Sequence, residues 1–423
     1  MNRHAFWKDH YRDTRRYFLR LSAVGAAAFS QLPVAAYETL GDDAISDSLQ
    51  SAIDSLPTWL TAQGDFQDVS RGNPKPHSLS DEERKQAGLT RDTWKLEVIS
   101  DPENPARLRS PLTQADGTAF EFDALMAMAQ TRAVRFPKVM TCLNLGCPLG
   151  NGIWEGVPMR DVLWLTQPTA DLRRVFYHGF HNNDDAQLFR SSLPVGRVLE
   201  DTFGLPPVIL CYKLNGQWLS PERGGPVRVV VPEAYGFKSI KWLTQIILSN
   251  LAHANDTYAE KNNDVDSPMK TFCATLSIPT SIRSDQPIPI TGWAQSGISG
   301  LSKVQVWIQN RDEAWQGDRY FDQAPWRDAE VLAATRLREK LGWEDESVKR
   351  VPDVTMGFNK GVPTTWPIRL TQAHWATLHP GLPAGQYVLR CRTIDENGVA
   401  QPMPRPFRKS GHAAIEERKF VVG

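Results

Sequence analysis

The sequence has no excess of charge of either sign: Lys+Arg and Asp+Glu both number 48, a formal net charge of +0 over 423 residues. Such balance gives no electrostatic basis for nucleic acid or an anionic membrane as the main partner, so any bound anion must be held by a local cluster. Internal repeats and low-complexity tracts are absent, which argues against solenoid and disordered architectures. Cysteine is scarce, at positions 142, 147, 211, 273 and 391. An odd count rules out complete intramolecular pairing, and the spacing fits no zinc or disulfide framework. At least one thiol is therefore free. A free thiol in an oxidising compartment is a hazard, so one kept there has a job such as metal ligation, or else is buried and inert. No Cys-x-x-Cys-His haem attachment is present. What the chain does have is 41% hydrophobic and 23% charged residues, a composition that folds as a soluble globule, and a length expected to give two or three domains. Its 14 Trp are ring material for a core or a pocket wall.

The N-terminus reads as an address. Thr14-Arg15-Arg16-Tyr17-Phe18-Leu19-Arg20 precedes the mild apolar stretch Leu21 to Leu32, which is too short to span a bilayer as a helix. Paired arginines before a weakly hydrophobic stretch fit a twin-arginine export signal over residues 1–36, with small Val34 and Ala36 set for cleavage before Tyr37. The alternative is an arginine-rich amphipathic helix. Export of this kind carries folded proteins, often because a cofactor was inserted first, and it makes the mature chain periplasmic.

Along the mature chain, Leu49, Ile53, Leu56 and Leu60 fall at helical spacing. Arg71-Gly72-Asn73-Pro74-Lys75-Pro76-His77 is turn-rich, since two prolines deny helix and sheet alike. Trp94 to Ile99 alternates like a strand, Phe120 to Ala133 predicts a helix, and Val139 to Leu143 predicts a buried strand. Leu214-Asn215-Gly216-Gln217 is a hairpin turn, followed by the run Val227 to Val231, apolar but for Arg228. Near residue 265 the texture changes. Segments at 275–279, 287–293, 304–308 and 386–392 are short alternating strands, separated by Pro- and Gly-rich loops and one long insertion around 311–368. The expectation is an α+β fold: a mixed unit over 37–265, then an all-β immunoglobulin-like sandwich over 266–423.

Three segments carry a family resemblance. Arg135-Phe136-Pro137-Lys138-Val139-Met140-Thr141-Cys142 is followed by Trp154-Glu155-Gly156-Val157-Pro158-Met159-Arg160-Asp161-Val162-Leu163. Gly225 to Pro232 leads to Tyr235-Gly236-Phe237-Lys238-Ser239-Ile240-Lys241-Trp242-Leu243, the most specific stretch, and Asn255-Asp256-Thr257-Tyr258 comes third. Together these resemble the sulfite oxidase family of molybdopterin-dependent oxidoreductases over nearly all of the mature chain. The resemblance implies that Cys142 ligates molybdenum at the end of a strand, and that Tyr258 and Arg71 assist substrate binding and proton handling. Asn73 and His77 fall where relatives place an Arg-Asn-His group near the metal, of which Arg71 and Asn73 hold the pattern. Ser192-Leu193-Pro194-Val195-Gly196-Arg197 looks like the family's cofactor segment, so Arg197, Arg228, Lys238, Ser239 and Lys241 are expected to cradle a phosphate-bearing pterin. The chemistry is consistent, because a soft metal takes a thiolate and a phosphate takes fixed donors and positive charge.

The implied activity is oxygen-atom transfer on a small substrate, sulfite or another sulfur compound, with electrons leaving to an external carrier such as a c-type cytochrome. A homodimer through the C-terminal unit is implied as well. One departure is plain: Leu143-Asn144-Leu145-Gly146-Cys147-Pro148 has no charge where sulfite-oxidising relatives place an arginine. Two other classes compete. One is a non-catalytic exported binding protein with an immunoglobulin-like module. The other is a cysteine hydrolase pairing Cys142 with His178 or His181, whose spacing also suits zinc or plain loop hydrogen bonding.

Overall fold

The computed structural model describes residues 42–145, 147–202, 204–261, 263, 265–266, 268–342, 355–401 and 414–423. The export signal expected over residues 1–36 lies outside them. Among the described residues no helix is long and apolar enough to cross a membrane.

The first unit rests on two sheets. Strands β1 (Lys95–Ser100), β2 (Phe120–Glu121), β3 (Val134–Thr141), β4 (Pro148–Pro158), β5 (Arg174–Gly179), β6 (Arg190–Pro194), β7 (Ile209–Leu214), β8 (Gln217–Trp218), β9 (Arg228–Val230) and β10 (Leu243–Ser249) divide between them. One sheet has the order β2-β1-β10-β5-β6, with β1 and β10 parallel; the other runs β3-β4-β7-β8, with β9 also on β7. Leu96 and Val98 of β1 are buried while their neighbours are not, the period-2 pattern that the sequence shows there. They share one apolar core with Val175 and Tyr177 of β5, Ile246 and Leu248 of β10, and Val157, Leu210 and Val229 from the second sheet. The β7–β8 turn is closed by Asn215 (φ 51) and Gly216 (φ 78), the two left-handed positions of a type I′ hairpin.

From residue 272 a third sheet takes over, with β11 (Phe272–Ser277), β12 (Ile288–Gln295), β13 (Lys303–Asn310), β14 (Arg327–Val331), β17 (Gln372–His379), β18 (Gly385–Ile394) and β19 (Glu416–Val422), the two-residue strands β15 (Phe358–Asn359) and β16 (Val362–Pro363) forming a separate hairpin. Its seven strands run β11-β12-β17-β14-β13-β18-β19, all antiparallel. The sheet nearly closes on itself: Arg418 of β19 donates to the carbonyl of Leu276 in β11 at 3.1 Å. The insertion around 311–368 is therefore not simply a loop. It holds β14, which pairs with β13 through residues 327–329 and with β17 through 330–331, so one strand joins both faces. Cys273, Ile290 and Trp375 from one face meet Val304, Leu389 and Cys391 from the other in a single core.

The N-terminal segment crosses between the units. Helix α1 (Asp42–Asp54) places Ile53, with Leu56 just beyond it, against Leu332, Leu337 and Ala376 of the C-terminal unit, not within the first unit as its position in the chain suggests. Trp59 is fully buried, with Nε1 donating to the Gln372 carbonyl at 2.6 Å while its ring packs with Ile153 of β4 and Ile368. One indole thus contacts both units. Replacing it by alanine, Trp59→Ala, is expected to cost about 3–5 kcal/mol, from lost burial plus a residual cavity. Urea unfolding of the two proteins measures this, and a loss under about 1 kcal/mol would show that the segment does not staple the units together.

Candidate functional site

The two sheets of the first unit, with the loops at their ends, enclose a cavity of about 340 Å³. Burial grades along its wall. Met140, Trp154, Arg228 and Ser239 are buried, while Arg71 and Leu145 are exposed. Cys142 lies on this wall because β3 ends at Thr141 and hands it to the cavity half-buried.

Six of the residues singled out from the sequence line this one space: Arg71, Cys142, Arg228, Ser239, Lys241 and Tyr258. Tyr258 is held by stacking on Phe237 (4.5 Å between centroids), edge contact with Phe189, and a 2.9 Å hydrogen bond from Asn144 Nδ2 to its hydroxyl. Burial pushes its phenol up, with the Arg71 charge opposing, so it stays protonated at neutral pH. Arg71 lies 4.3 Å over the Phe189 ring. Arg228 is buried; Nη1 donates to the Arg223 carbonyl at 2.9 Å and Nη2 to the Ser239 carbonyl at 2.6 Å. Burial lowers its pKa to about 10, which leaves it charged. Lys241 donates to Asp68 Oδ1 (3.2 Å), Ser70 Oγ (2.6 Å) and the Glu222 carbonyl. Burial, then the charge of Arg228, pulls its pKa down to about 7 against the pull of Asp68. The lysine stem needs Gly224 (φ 95), where a Cβ would fall 2.7 Å from Lys241 Cβ.

Four expected residues lie elsewhere. Arg197 forms a two-point pair with Glu233, at 2.7 and 2.9 Å, and also donates to the Pro206 carbonyl, so its charge is already met away from the cavity. Lys238 is buried against the Ser192 carbonyl (2.6 Å) and Asp256 (3.6 Å). Asp256 in turn accepts from the backbone of Tyr258 and Ala259, so Lys238 positions the Tyr258 loop instead of reaching a ligand. Asn73 is exposed; its backbone N–H donates to Gln187 Oε1 and its carbonyl accepts from Gln187 Nε2. His77 stacks on Trp242 at 6.1 Å and lies 3.8 Å from Asp68, one shell behind the wall.

The two histidines of the competing readings have hydrogen-bonding partners of their own. His178 faces Gln245 Oε1 at 3.0 Å, and His181, which does line the cavity, is 3.3 Å from the Gly179 carbonyl. Among the described residues no group of three His, Cys, Asp or Glu side chains is placed to hold a metal. Sequence reasoning missed Arg223 and Asp68. Arg223 lines the cavity and sits at the end of a short turn after Pro221, while Asp68 gathers Lys75, His77 and Lys241. No periodicity or motif flags either one.

The wall has an unmet electrostatic demand. Arg223 and Arg228 both spend their bonded nitrogens on backbone carbonyls, and the Nε of each is buried without a partner. Buried guanidinium groups left in this state fit an anionic ligand that supplies the missing acceptors. Beside them sits a thiol able to bind a soft metal. The arrangement suits a cofactor with an anionic arm and a metal end.

Residues 85–257 match the family described as "oxidoreductase molybdopterin binding domain". The chain is 29% identical over 182 residues to nitrate reductase [NADH] of Spinacia oleracea, covering 41% of this chain and 19% of that one. It is likewise 29% identical over 186 residues to mitochondrial sulfite oxidase of Drosophila melanogaster, covering 38% and 31%. The chain thus spans less than a third of the length of these relatives. In fold it is similar to the crystal structure of the sulfane dehydrogenase SoxCD from Paracoccus pantotrophus, with a TM-score of 0.58 and 17% identity over 87% of this chain and 82% of that one. A cavity presenting a strand-end cysteine beside buried guanidinium groups, in a chain whose residues 85–257 match this domain, makes the protein an oxidoreductase with a molybdopterin-binding domain, whose cofactor carries molybdenum.

Proposed function

We propose that the protein carries out oxygen-atom transfer on a small sulfur compound, such as sulfite, and passes electrons to an external carrier such as a c-type cytochrome. The observation that carries this reading is the meeting of Cys142, Arg71 and Tyr258 in one cavity whose buried end holds Arg223 and Arg228 with unpaired Nε atoms. Cys142 would bind the metal, and Arg223, Arg228, Ser239 and Lys241 the phosphate-bearing pterin. The bound cofactor supplies two-electron oxygen-atom chemistry; the protein positions it and shapes the local field. At the exposed end the chain does its own work. The Arg71 guanidinium attracts an anionic substrate, which matters because Leu143, Asn144 and Leu145 bring no charge to that wall. The Tyr258 hydroxyl, kept protonated by burial and oriented by Asn144, donates a hydrogen bond or a proton to a substrate oxygen.

The reading extends to the whole chain. The twin-arginine segment sends the folded protein to the periplasm, and the C-terminal unit serves as an immunoglobulin-like dimerisation module.

Two experiments test the proposal. The wild-type chain is expected to carry about one molybdenum, and Cys142→Ser to lose turnover while keeping its circular dichroism spectrum. Activity comparable to wild type in that variant would remove Cys142 from the metal. With sulfite as substrate and a dye as acceptor, Tyr258→Phe is expected to lower kcat by about 100-fold. Arg71→Met is expected to raise KM by about tenfold, equivalent to about 1.4 kcal/mol of binding, with kcat little changed. No sulfite-dependent dye reduction by the molybdenum-loaded protein would strike sulfite from the substrates.

A further inference from the structure

A second thiol faces the first. Strands β3 and β4 pair antiparallel as far as Thr141 opposite Pro148, and Cys142 and Cys147 are the residues that flank this last pair. The Cys142 N–H donates to the Cys147 carbonyl at 3.4 Å, so a backbone hydrogen bond joins the two across the neck of the hairpin. Directly opposed residues in a hydrogen-bonded antiparallel pair have Cα atoms about 5.5 Å apart and side chains on the same face. A disulfide spans Cα separations of about 4.4–6.8 Å. Both cysteines are half-buried, open to a small oxidant, whereas Cys211, Cys273 and Cys391 are buried. Cys147 is held at the cavity edge, with Sγ 3.7 Å from Oε1 of Gln67, itself a lining residue.

We propose that Cys142 and Cys147 form a reversible cross-strand disulfide in the chain that carries no metal. The bond takes the Cys142 sulfur out of the cavity's donor set until a thiol restores it. Oxidation by a low-molecular-weight disulfide balances as exchange. One cysteine thiolate opens the oxidant's S–S bond and releases one thiol, leaving a mixed disulfide. The second thiolate then displaces the other half. One protein S–S bond forms, one oxidant S–S bond breaks, two electrons leave the protein, and the two thiol protons end on the two released thiols. A bond at an exposed hairpin neck is of the labile, reducible kind. Its consequence for cofactor loading rests on the reading of Cys142 as metal ligand; the bond itself does not.

The test uses the full chain produced in a host that makes no molybdopterin, treated with oxidised glutathione and digested with trypsin. Cleavage after Lys138 and Arg160 leaves both cysteines on one peptide, Val139 to Arg160. The expected result is that this peptide loses two hydrogens and resists iodoacetamide until dithiothreitol is added. In Cys147→Ser the same peptide should instead carry one glutathione on Cys142. A wild-type peptide that stays alkylated at both cysteines, or that keeps glutathione on Cys142 with Cys147 free, overturns the proposal. Loading the oxidised chain with molybdopterin, with and without prior reduction, then reads the consequence. Equal molybdenum uptake alongside a proven disulfide would count against Cys142 as the ligand, not against the bond.

Discussion

The arrangement of the site depends on the Arg228 guanidinium. It enters from β9 in the middle of an apolar run, where an isolated charge is costly, and one of its nitrogens reaches the Arg223 carbonyl and another the Ser239 carbonyl. Those two bonds fix the turn that presents Arg223 and the loop that presents Ser239 and Lys241 on either side of one cation. No hydrophobic side chain of the same volume can do this, because the carbonyls would be left unsatisfied. The charge itself is not neutralised by these contacts. A carbonyl satisfies a hydrogen bond but brings no compensating negative charge, so the wall is tied together and left electrically incomplete in the same act.

The rest of the cavity is arranged around that incompleteness. Three of the cations around the site meet a carboxylate: Glu233 for Arg197, Asp256 for Lys238, Asp68 for Lys241. Arg223 and Arg228 are bonded through backbone carbonyls instead. These two, unlike Arg197 and Lys238, line the cavity. Lys241 lines the cavity, yet it donates to three acceptors of the protein itself. The same segment carries Trp242 at φ 52, a left-handed backbone unusual for a bulky residue, and Gly179, where a Cβ would lie 2.0 Å from the Lys241 carbonyl. Close backbone approach and strain accumulate where the wall must be placed accurately.

What was legible in the sequence follows from how local its cause is. Period-2 burial in β1 and the Asn215-Gly216 turn are written within a few residues and appear in place, while the buried strand expected over Val139 to Leu143 runs from Val134 to Thr141 and stops short of Cys142. The fate of the basic residues was not local. Arg197 and Lys238 look like ligand donors in isolation, but Glu233 lies 36 residues from the first and Asp256 beyond β10 from the second. Only the fold decides which cation meets a carboxylate. Asp68 and Arg223 were invisible for the same reason, since an Asp in a loop and an Arg after a Pro turn are ordinary surface features until the chain closes over them. The all-β half was read from its alternation, whereas β14, hidden in the long insertion, was missed because its sequence Arg-Asp-Ala-Glu-Val is mostly polar; only Ala329 of it is buried.

An unneutralised wall also ties ligand binding to folding. Buried guanidinium groups lower the stability of the chain without its ligand by their desolvation, and an anion that supplies the missing acceptors recovers that loss as binding free energy. A ligand bound only by the folded state stabilises it by RT ln(1 + [L]/Kd), so a tight cofactor becomes a large share of the stability of the finished protein. The same logic reaches the connections between the units. Val139 of β3, three residues before Cys142, donates its N–H to the Leu370 carbonyl at 2.9 Å, and Thr141 hydrogen-bonds Gln295 of β12. The strand that delivers the thiol is thus braced from behind by the C-terminal unit. A ligand that orders the front of β3 and a sheet that holds its back act on one element, and each lowers the entropy that the other must overcome.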